Sequence, residues 1–139
     1  MINSMKKLIE LLHDDGNTLV VSNGEVRTFH GRGISDLYRL LHEEPGFLGG
    51  ASVADKVVGK GAAALMILGG VSELHADLIC EPALDLLGTA RIRVAYKEKV
   101  LQIRNRTQTD CCPVEKLCRN AVTAEECLPL IENFMKSMK

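Results

Sequence analysis

The sequence predicts an α/β protein: one domain over residues 1–139, folded as a three-layer α/β/α sandwich around a mixed sheet. Strand-like and helix-like segments alternate between about residues 50 and 96, which is typical of a βαβαβ unit with parallel strands. The turn sequence Asn23-Gly24 lies between two β-branched runs and predicts an antiparallel hairpin. A length of 139 residues is enough for a single hydrophobic core.

The first half of the chain predicts two helices with the hairpin between them. Leu8, Leu11 and Leu12 recur at helical spacing in the first helix, and a polar segment ends it. Ser35 is the predicted N-cap of the second helix, which stops before Pro45. The predicted elements are a helix over 6–13, an edge hairpin of strands 18–22 and 25–29, and a helix starting at 35.

The second half predicts the alternating unit and two terminal helices. Asp55 is the predicted N-cap of the helix after the first strand, and Glu81 caps the next helix because Pro82 suits its first position. A polar loop follows over 105–110. The predicted elements are strands 50–54, 73–79, 91–96 and a further edge strand 99–103, with helices 55–68, 81–87, 112–121 and 123–136.

Composition and charge exclude several classes of partner. The net charge is −1, there is no Trp, and no Lys/Arg block occurs, so we expect no nucleic-acid binding. No apolar stretch approaches the ~20 residues that span a bilayer, and the N-terminal segment lacks signal-peptide features. We therefore expect a cytoplasmic protein without membrane association, whose five cysteines are mostly reduced.

The segment from Asp55 to Gly61 predicts an anion site. Lys56 and Lys60 are like charges at helical i,i+4 spacing near the positive end of a helix, and a bound anion would make both favourable. Gly59 and Gly61 sacrifice helix propensity, which a close neighbouring backbone or ligand would explain. The alternative is that the lysines are solvated and the glycines serve only packing.

Cysteines give a second set of candidates. Cys80 follows a predicted central strand, at the sheet edge where α/β proteins bind ligands. Cys112 stands before Pro113 at a predicted helix N-terminus with Glu115 three residues on, a position that favours a thiolate. The alternative for Cys80 is a small buried residue, and the alternative for Cys112 is a helix start that happens to use Cys. No zinc-binding spacing is present, and the four histidines are scattered and interpreted as surface or satisfied residues.

Several ordered motifs resemble domain-of-unknown-function family 1893 from about residue 8 to about residue 131. They are Val53-Ala-Asp-Lys-Val-Val-Gly-Lys60, Ile79-Cys-Glu-Pro-Ala-Leu84, Asn105-Arg106 and Cys112-Pro-Val-Glu115. The resemblance implies a cytidine-deaminase-like fold. Zinc deaminases open one helix with His/Cys-Ala-Glu and the next with Pro-Cys-x-x-Cys. Here Val53-Ala54-Asp55 and Cys80-Glu81-Pro82 stand at those motifs, which leaves too few zinc ligands.

These observations support three hypotheses. In the first, a zinc-free, cofactor-free enzyme binds an anionic, nucleotide-like small molecule, with Asp55 as acid/base and Cys80 or Cys112 as nucleophile. Its ligand contacts are Lys56, Lys60, Glu81, Asn105, Arg106 and Glu115. The second is a non-catalytic binding or regulatory module at the same site, and the third is a thiol redox protein using Cys111 or Cys112. A homodimer is compatible with the hairpin edge.

Overall fold

The computed structural model describes residues 4–14, 16–31, 34–101 and 113–137, and within them it contains five strands and seven helices. The strands are β1 (Leu19–Asn23), β2 (Glu25–Phe29), β3 (Ser52–Val58), β4 (Glu73–Cys80) and β5 (Arg93–Val100). The helices are α1 (Ser4–Leu12), α2 (Ser35–Glu43), α3 (Pro45–Leu48), α4 (Lys60–Gly69), α5 (Glu81–Leu87), α6 (Pro113–Cys118) and α7 (Ala124–Ser137).

The strands form one mixed sheet in the order β2-β1-β3-β4-β5. β1 pairs antiparallel with β2 and β3, whereas β3, β4 and β5 run parallel. Gly24, with a φ of 83°, makes the tight turn between β1 and β2, because glycine adopts this left-handed conformation without steric cost. The predicted hairpin, its position at the sheet edge and the βαβαβ unit are therefore confirmed.

Helices flank both faces of the sheet. On one face Leu8 and Leu12 of α1 pack against Val20 and Ala54. Neighbouring residues of a strand point to opposite faces, and Val21 and Val53 accordingly belong to the larger core on the other side. That core receives buried side chains from every other described helix, α2 to α7.

The boundary between β3 and α4 differs from the prediction. β3 continues to Val58, and α4 begins at Lys60 after Gly59 in an extended conformation. Asp55 is therefore not a helix cap but a buried residue in the middle of a strand, paired in register with Leu19 and Ala76. Val57 and Val58 are β-branched residues, which favour a strand. The capping chemistry of Asp55 had predicted a helix over the same residues.

Other element boundaries shift less. Cys80 rather than Glu81 is the N-cap of α5, and Pro45 begins the separate short helix α3. β5 continues through Lys99 and Val100, where a further strand was predicted to start. The polar loop 105–110 and residues 102–103 lie outside the described residues. No helix in the described part of the chain is long and apolar enough to span a bilayer.

Candidate functional site

The N-terminus of α4 is capped by a carboxylate from a distant part of the chain. Gly59 has no side chain with which to cap the helix, so the first N–H groups of α4 need other acceptors. Lys60 N donates to Glu115 Oε1 at 2.9 Å, and Gly61 N lies 3.3 Å from Glu115 Oε2. The carboxylate also complements the positive end of the helix dipole. Glu115 of α6 therefore caps α4, which begins five residues after the predicted helix start at Asp55.

Close approach of α6 explains both glycines at this helix start. A Cβ at Gly59 would overlap the Glu115 carboxylate, and a Cβ at Gly61 would come within 2.5 Å of Val114 Cγ1. Real Cβ atoms essentially never show contacts this short, so a side chain of α6 would have to shift at each position. The neighbours are side chains of α6 and not a backbone or a ligand, so the structure supports the packing alternative for both glycines.

Lys60 completes a reciprocal contact between α4 and the end of α6. Its Nζ donates to the carbonyl oxygens of Arg119 and Ala121, just beyond the last residue of α6. Carbonyls at a helix C-terminus lack intrahelical donors, and a cation there is favourable. Glu115 thus caps α4 while Lys60 binds the carbonyls that follow α6. Lys56 lies on β3, so the predicted helical i,i+4 pair of lysines is wrong.

Cys80 joins this cluster as a hydrogen-bond donor. Its Sγ lies 3.5 Å from Glu115 Oε1, and its side chain is fully buried. Burial, followed by the negative charge of Glu115, raises the pKa of the Cys80 thiol to about 12. Glu81, the next residue, is exposed, and its carboxylate lies 3.9 Å from Lys99 Nζ. We name Lys60, Cys80 and Glu115 the edge cluster.

Asp55 lies apart from the edge cluster. Its strand partner on β4 is Ala76, four positions before Cys80, which corresponds to roughly 13 Å along the strand at ~3.3 Å per residue. Burial raises the pKa of Asp55 to about 8, hydrogen bonds from the Val57 and Lys56 backbones oppose this, and the charges of Asp77 and Asp36 add to the rise. The structure therefore separates Asp55, the predicted acid/base residue, from Cys80, one of the two predicted thiols.

Val53-Ala54-Asp55 does not occupy the place of the first zinc-deaminase motif. That motif opens a helix in the deaminases, whereas these three residues lie within β3. Cys80-Glu81-Pro82 does open α5, as predicted. Within the described ranges, no three His, Cys, Asp or Glu side chains are arranged to hold a metal ion. Asn105, Arg106, Cys111 and Cys112 lie outside those ranges.

The sequence did not lead us to predict that the Asp77 carboxylate contacts both His13 and His75. His13 Nε2 lies 2.6 Å from Asp77 Oδ2, and His75 Nε2 lies 2.9 Å from Asp77 Oδ1. Burial by itself would raise the pKa of Asp77, but hydrogen bonds from both histidines and their charges outweigh it and lower the pKa. His75-x-Asp77 has the two-residue period of a strand face, which was the available signal. This contact ties the end of α1 to β4.

His13→Ala is expected to lower the free energy of unfolding by about 1 kcal/mol at pH 6, because it removes a partly exposed pair. Because the pKa of Asp77 is lowered from 3.8, its contribution is present above about pH 4 and is lost as pH falls further. Urea unfolding between pH 2.5 and pH 6, with exposed His30→Ala as the control, measures this. Equal stability of wild type and His13→Ala at pH 6 would contradict the assignment.

Comparison with known proteins identifies the family. The model described as "TM1506: Domain of unknown function (DUF1893)" matches residues 7–135. The crystal structure of a DUF1893 family protein (TM1506) from Thermotoga maritima superposes with a TM-score of 0.88 at 24% identity, covering 96% of this chain and 90% of that one. No curated protein matches the chain. This chain therefore belongs to the DUF1893 family, a family of unknown function.

Proposed function

We propose that this protein binds an anionic, nucleotide-like small molecule at the sheet edge where β3 and β4 end and α4 and α5 begin. Ligands of open α/β sheets bind outside the carboxyl ends of the strands. Helix N-termini at that edge present N–H groups that bind phosphate or carboxylate. We also propose that the fold is cytidine-deaminase-like, because the order helix, hairpin and βαβαβ is the order expected of that sandwich.

The observation that carries the proposal is the carboxylate of Glu115 in the edge cluster. Two backbone N–H groups of α4 and the Cys80 thiol converge on it. The same donors suit a phosphate oxygen, so we propose that the ligand's anionic group exchanges with the Glu115 side chain. Glu115 projects from α6, a helix of six residues.

The proposal retains the other residues that were predicted to contact the ligand. Glu81 is exposed beside the edge cluster, and Lys56 is half-buried on β3. Asn105 and Arg106 precede Glu115 by about ten residues in the sequence, and we propose that they contact the same ligand. Cys112 belongs to the same segment and is retained as the candidate thiol for any covalent step.

The geometry favours ligand binding in which Cys80 does not act as a nucleophile. A fully buried thiol with a pKa of about 12 is protonated at neutral pH and acts as a donor rather than a nucleophile. A second candidate is acid/base chemistry at Asp55, whose carboxyl is buried within β3. A carboxyl with a pKa of about 8 exchanges its proton near physiological pH, as general acids and bases do.

Glu115→Ala is expected to bind the ligand anion about tenfold more tightly than the wild type does, a gain of about 1.4 kcal/mol, because the internal competitor is gone. Thermal shift with inorganic phosphate, nucleoside mono-, di- and triphosphates and small carboxylic acids would find the probe. Calorimetry at a temperature where both proteins are folded would then give the two dissociation constants.

Glu10→Ala on α1 is the matched control, since it removes the same charge from an exposed position on the opposite face of the sheet. If Glu10→Ala binds the anion as much more tightly than the wild type as Glu115→Ala does, the gain is a general charge effect. If neither the wild type nor Glu115→Ala binds any anion, the proposed site is refuted. For each compound that binds, turnover by wild type and Asp55→Asn separates the two candidate functions. Binding without turnover supports the binding module.

A further inference from the structure

The side-chain amide of Asn23 fastens the β1–β2 hairpin to α3. Its Nδ2 donates to the carbonyl oxygens of Phe47 and Gly49, both at 2.9 Å, and lies 3.4 Å from the carbonyl oxygen of Gly46. An amide nitrogen carries two hydrogen atoms, so the two short contacts use both of them. We name Asn23 together with these three carbonyls the amide clamp.

Arg27 of β2 holds the same segment from the other strand of the hairpin. Its Nη1 lies 2.9 and 2.8 Å from the two carboxylate oxygens of Glu44, the residue that precedes α3. Its guanidinium carbon lies 4.1 Å from the centre of the Phe47 ring. Ion pairs and cation–π contacts at the surface are each weak, so the amide clamp can open while the core stays folded.

Gly24 follows Asn23 and gives this pair an unhindered peptide nitrogen. Both residues are exposed, and a Cβ at Gly24 would meet no atom within 4 Å. The amide carbon of an asparagine can bond to the peptide nitrogen of the next residue, and glycine has no side chain to shield that nitrogen. Ring closure expels the amide nitrogen, so the hydrogen bonds of the amide clamp must break first.

We propose that Asn23 is a deamidation site and that opening of the amide clamp controls its reaction. The Gly24 nitrogen loses its proton and forms a bond to Asn23 Cγ, and the bond from Cγ to the amide nitrogen breaks, so that this nitrogen leaves as ammonia. Water then opens the cyclic imide at either of its two carbonyl carbons and gives aspartate or isoaspartate. One water is consumed and one ammonia is released, with no oxidant or cofactor.

The product reverses the contact that the amide makes. A carboxylate is an acceptor only, and it would face the carbonyl oxygens of Phe47 and Gly49 with no hydrogen to donate. Glu25, the cross-strand partner of Asn23, adds a like charge. Deamidation therefore releases the hairpin from α3. β1 runs antiparallel to β3, so this change occurs at the opposite edge of the sheet from the edge cluster.

Peptide mapping of the full-length protein after timed incubation at pH 8 measures the reaction. Trypsin releases Asn23 within residues 8–27, and fragment ions distinguish it from Asn17 in the same peptide. Deamidation replaces NH2 by OH and so raises the mass of the fragment. The native rate should be at least about tenfold lower than the rate in guanidinium chloride, because only the open fraction reacts. Equal rates in the folded and unfolded protein would overturn control by the amide clamp.

Arg27→Ala distinguishes opening of the amide clamp from unfolding of the whole protein. It removes the ion pair and the ring contact beside the clamp and should raise the native rate roughly fivefold. Arg39→Ala is the matched control, because Arg39 makes the same two kinds of contact elsewhere, with Asp36 and with the Phe29 ring. It should leave the rate unchanged. Equal acceleration by both variants would mean that the reaction requires global unfolding, which contradicts the proposal.

Asn23→Asp reproduces the aspartate product and tests the release of α3. The N–H groups of Phe47 and Ala51 donate to carbonyls within and beside α3, and their hydrogen exchange should be roughly fivefold faster than in the wild type. Asn120→Asp makes the same change at an exposed position between α6 and α7 and should leave both amides unaffected. Wild-type exchange at both amides in Asn23→Asp would refute the proposed release.

Discussion

Asp55→Asn is expected to make the protein more stable than the wild type at pH 8 and above, with the advantage shrinking as pH falls toward 4. The wild-type carboxyl is buried in β3, and its pKa is raised from 3.8 to about 8. Asparagine has nearly the same shape, and its oxygen can still accept the hydrogen bond from Val57 N. The substitution thus removes the ionisation while keeping the local contact.

The direction of the pH dependence follows from which state holds the proton. Between pH 4 and pH 8 the unfolded chain has lost the Asp55 proton, whereas the folded protein retains it. The wild-type free energy of unfolding therefore falls across this window and levels off above about pH 8. At about 1.4 kcal/mol per pKa unit, the full effect is at most about 5–6 kcal/mol. Asp55→Asn lacks this decline.

Urea unfolding of wild type and Asp55→Asn from pH 4.5 to pH 9 measures the difference. Asp14→Asn, which removes a carboxyl from an exposed position, is the control and should follow the wild-type profile. Carbon-13 NMR of the Asp55 carboxyl supplies an independent midpoint near pH 8. Parallel stability profiles for wild type and Asp55→Asn would mean that Asp55 is ionised in the folded protein, and the acid/base candidate would then lose its support.

Glu115→Ala is expected to cost on the order of 3 kcal/mol of stability. It removes the acceptor of Lys60 N, Gly61 N and the Cys80 thiol, and each buried donor left without a partner costs about 1–3 kcal/mol. Loss of the negative charge at the α4 N-terminus adds about 0.3–1 kcal/mol. Glu115→Gln keeps one acceptor oxygen and should cost about half as much.

Urea unfolding gives these costs, and hydrogen exchange at the Lys60 and Gly61 amides reports the cap locally. Both amides should exchange faster in Glu115→Ala, while amides in α1, on the other face of the sheet, should not change. Glu125→Ala, at an exposed position of α7, should cost less than 0.5 kcal/mol. Destabilisation without any gain in anion binding would leave Glu115 as a purely structural cap and would refute the proposed ligand exchange.

Much of the fold was predictable because its signals are local. Asn23-Gly24 specifies a tight turn between neighbouring residues, and Pro82 marks the start of α5 within one residue. The alternation of strands and helices from β3 to β5 likewise predicts parallel pairing, because a crossover helix leaves few other arrangements. Each of these predictions depends on residues that are close in sequence.

The candidate site was less predictable because its contacts are distant in sequence. Asp55 has the chemistry of a helix cap, and only the pairing of β1 and β4 on either side of β3 makes it a buried strand residue. The actual cap of α4, Glu115, is separated from Lys60 by 55 positions. His13 and His75 looked scattered, and Asp77 brings them together only in the folded chain.

By itself, the sequence determined the class of the fold and the hairpin at its edge. The tertiary structure alone decided that α4 begins at Lys60 and that Glu115 caps it, because a helix N-terminus attracts any carboxylate that the chain can deliver and α6 delivers Glu115. It also decided the protonation of Asp55, since desolvation depends on the strands packed around a residue and not on its neighbours in sequence.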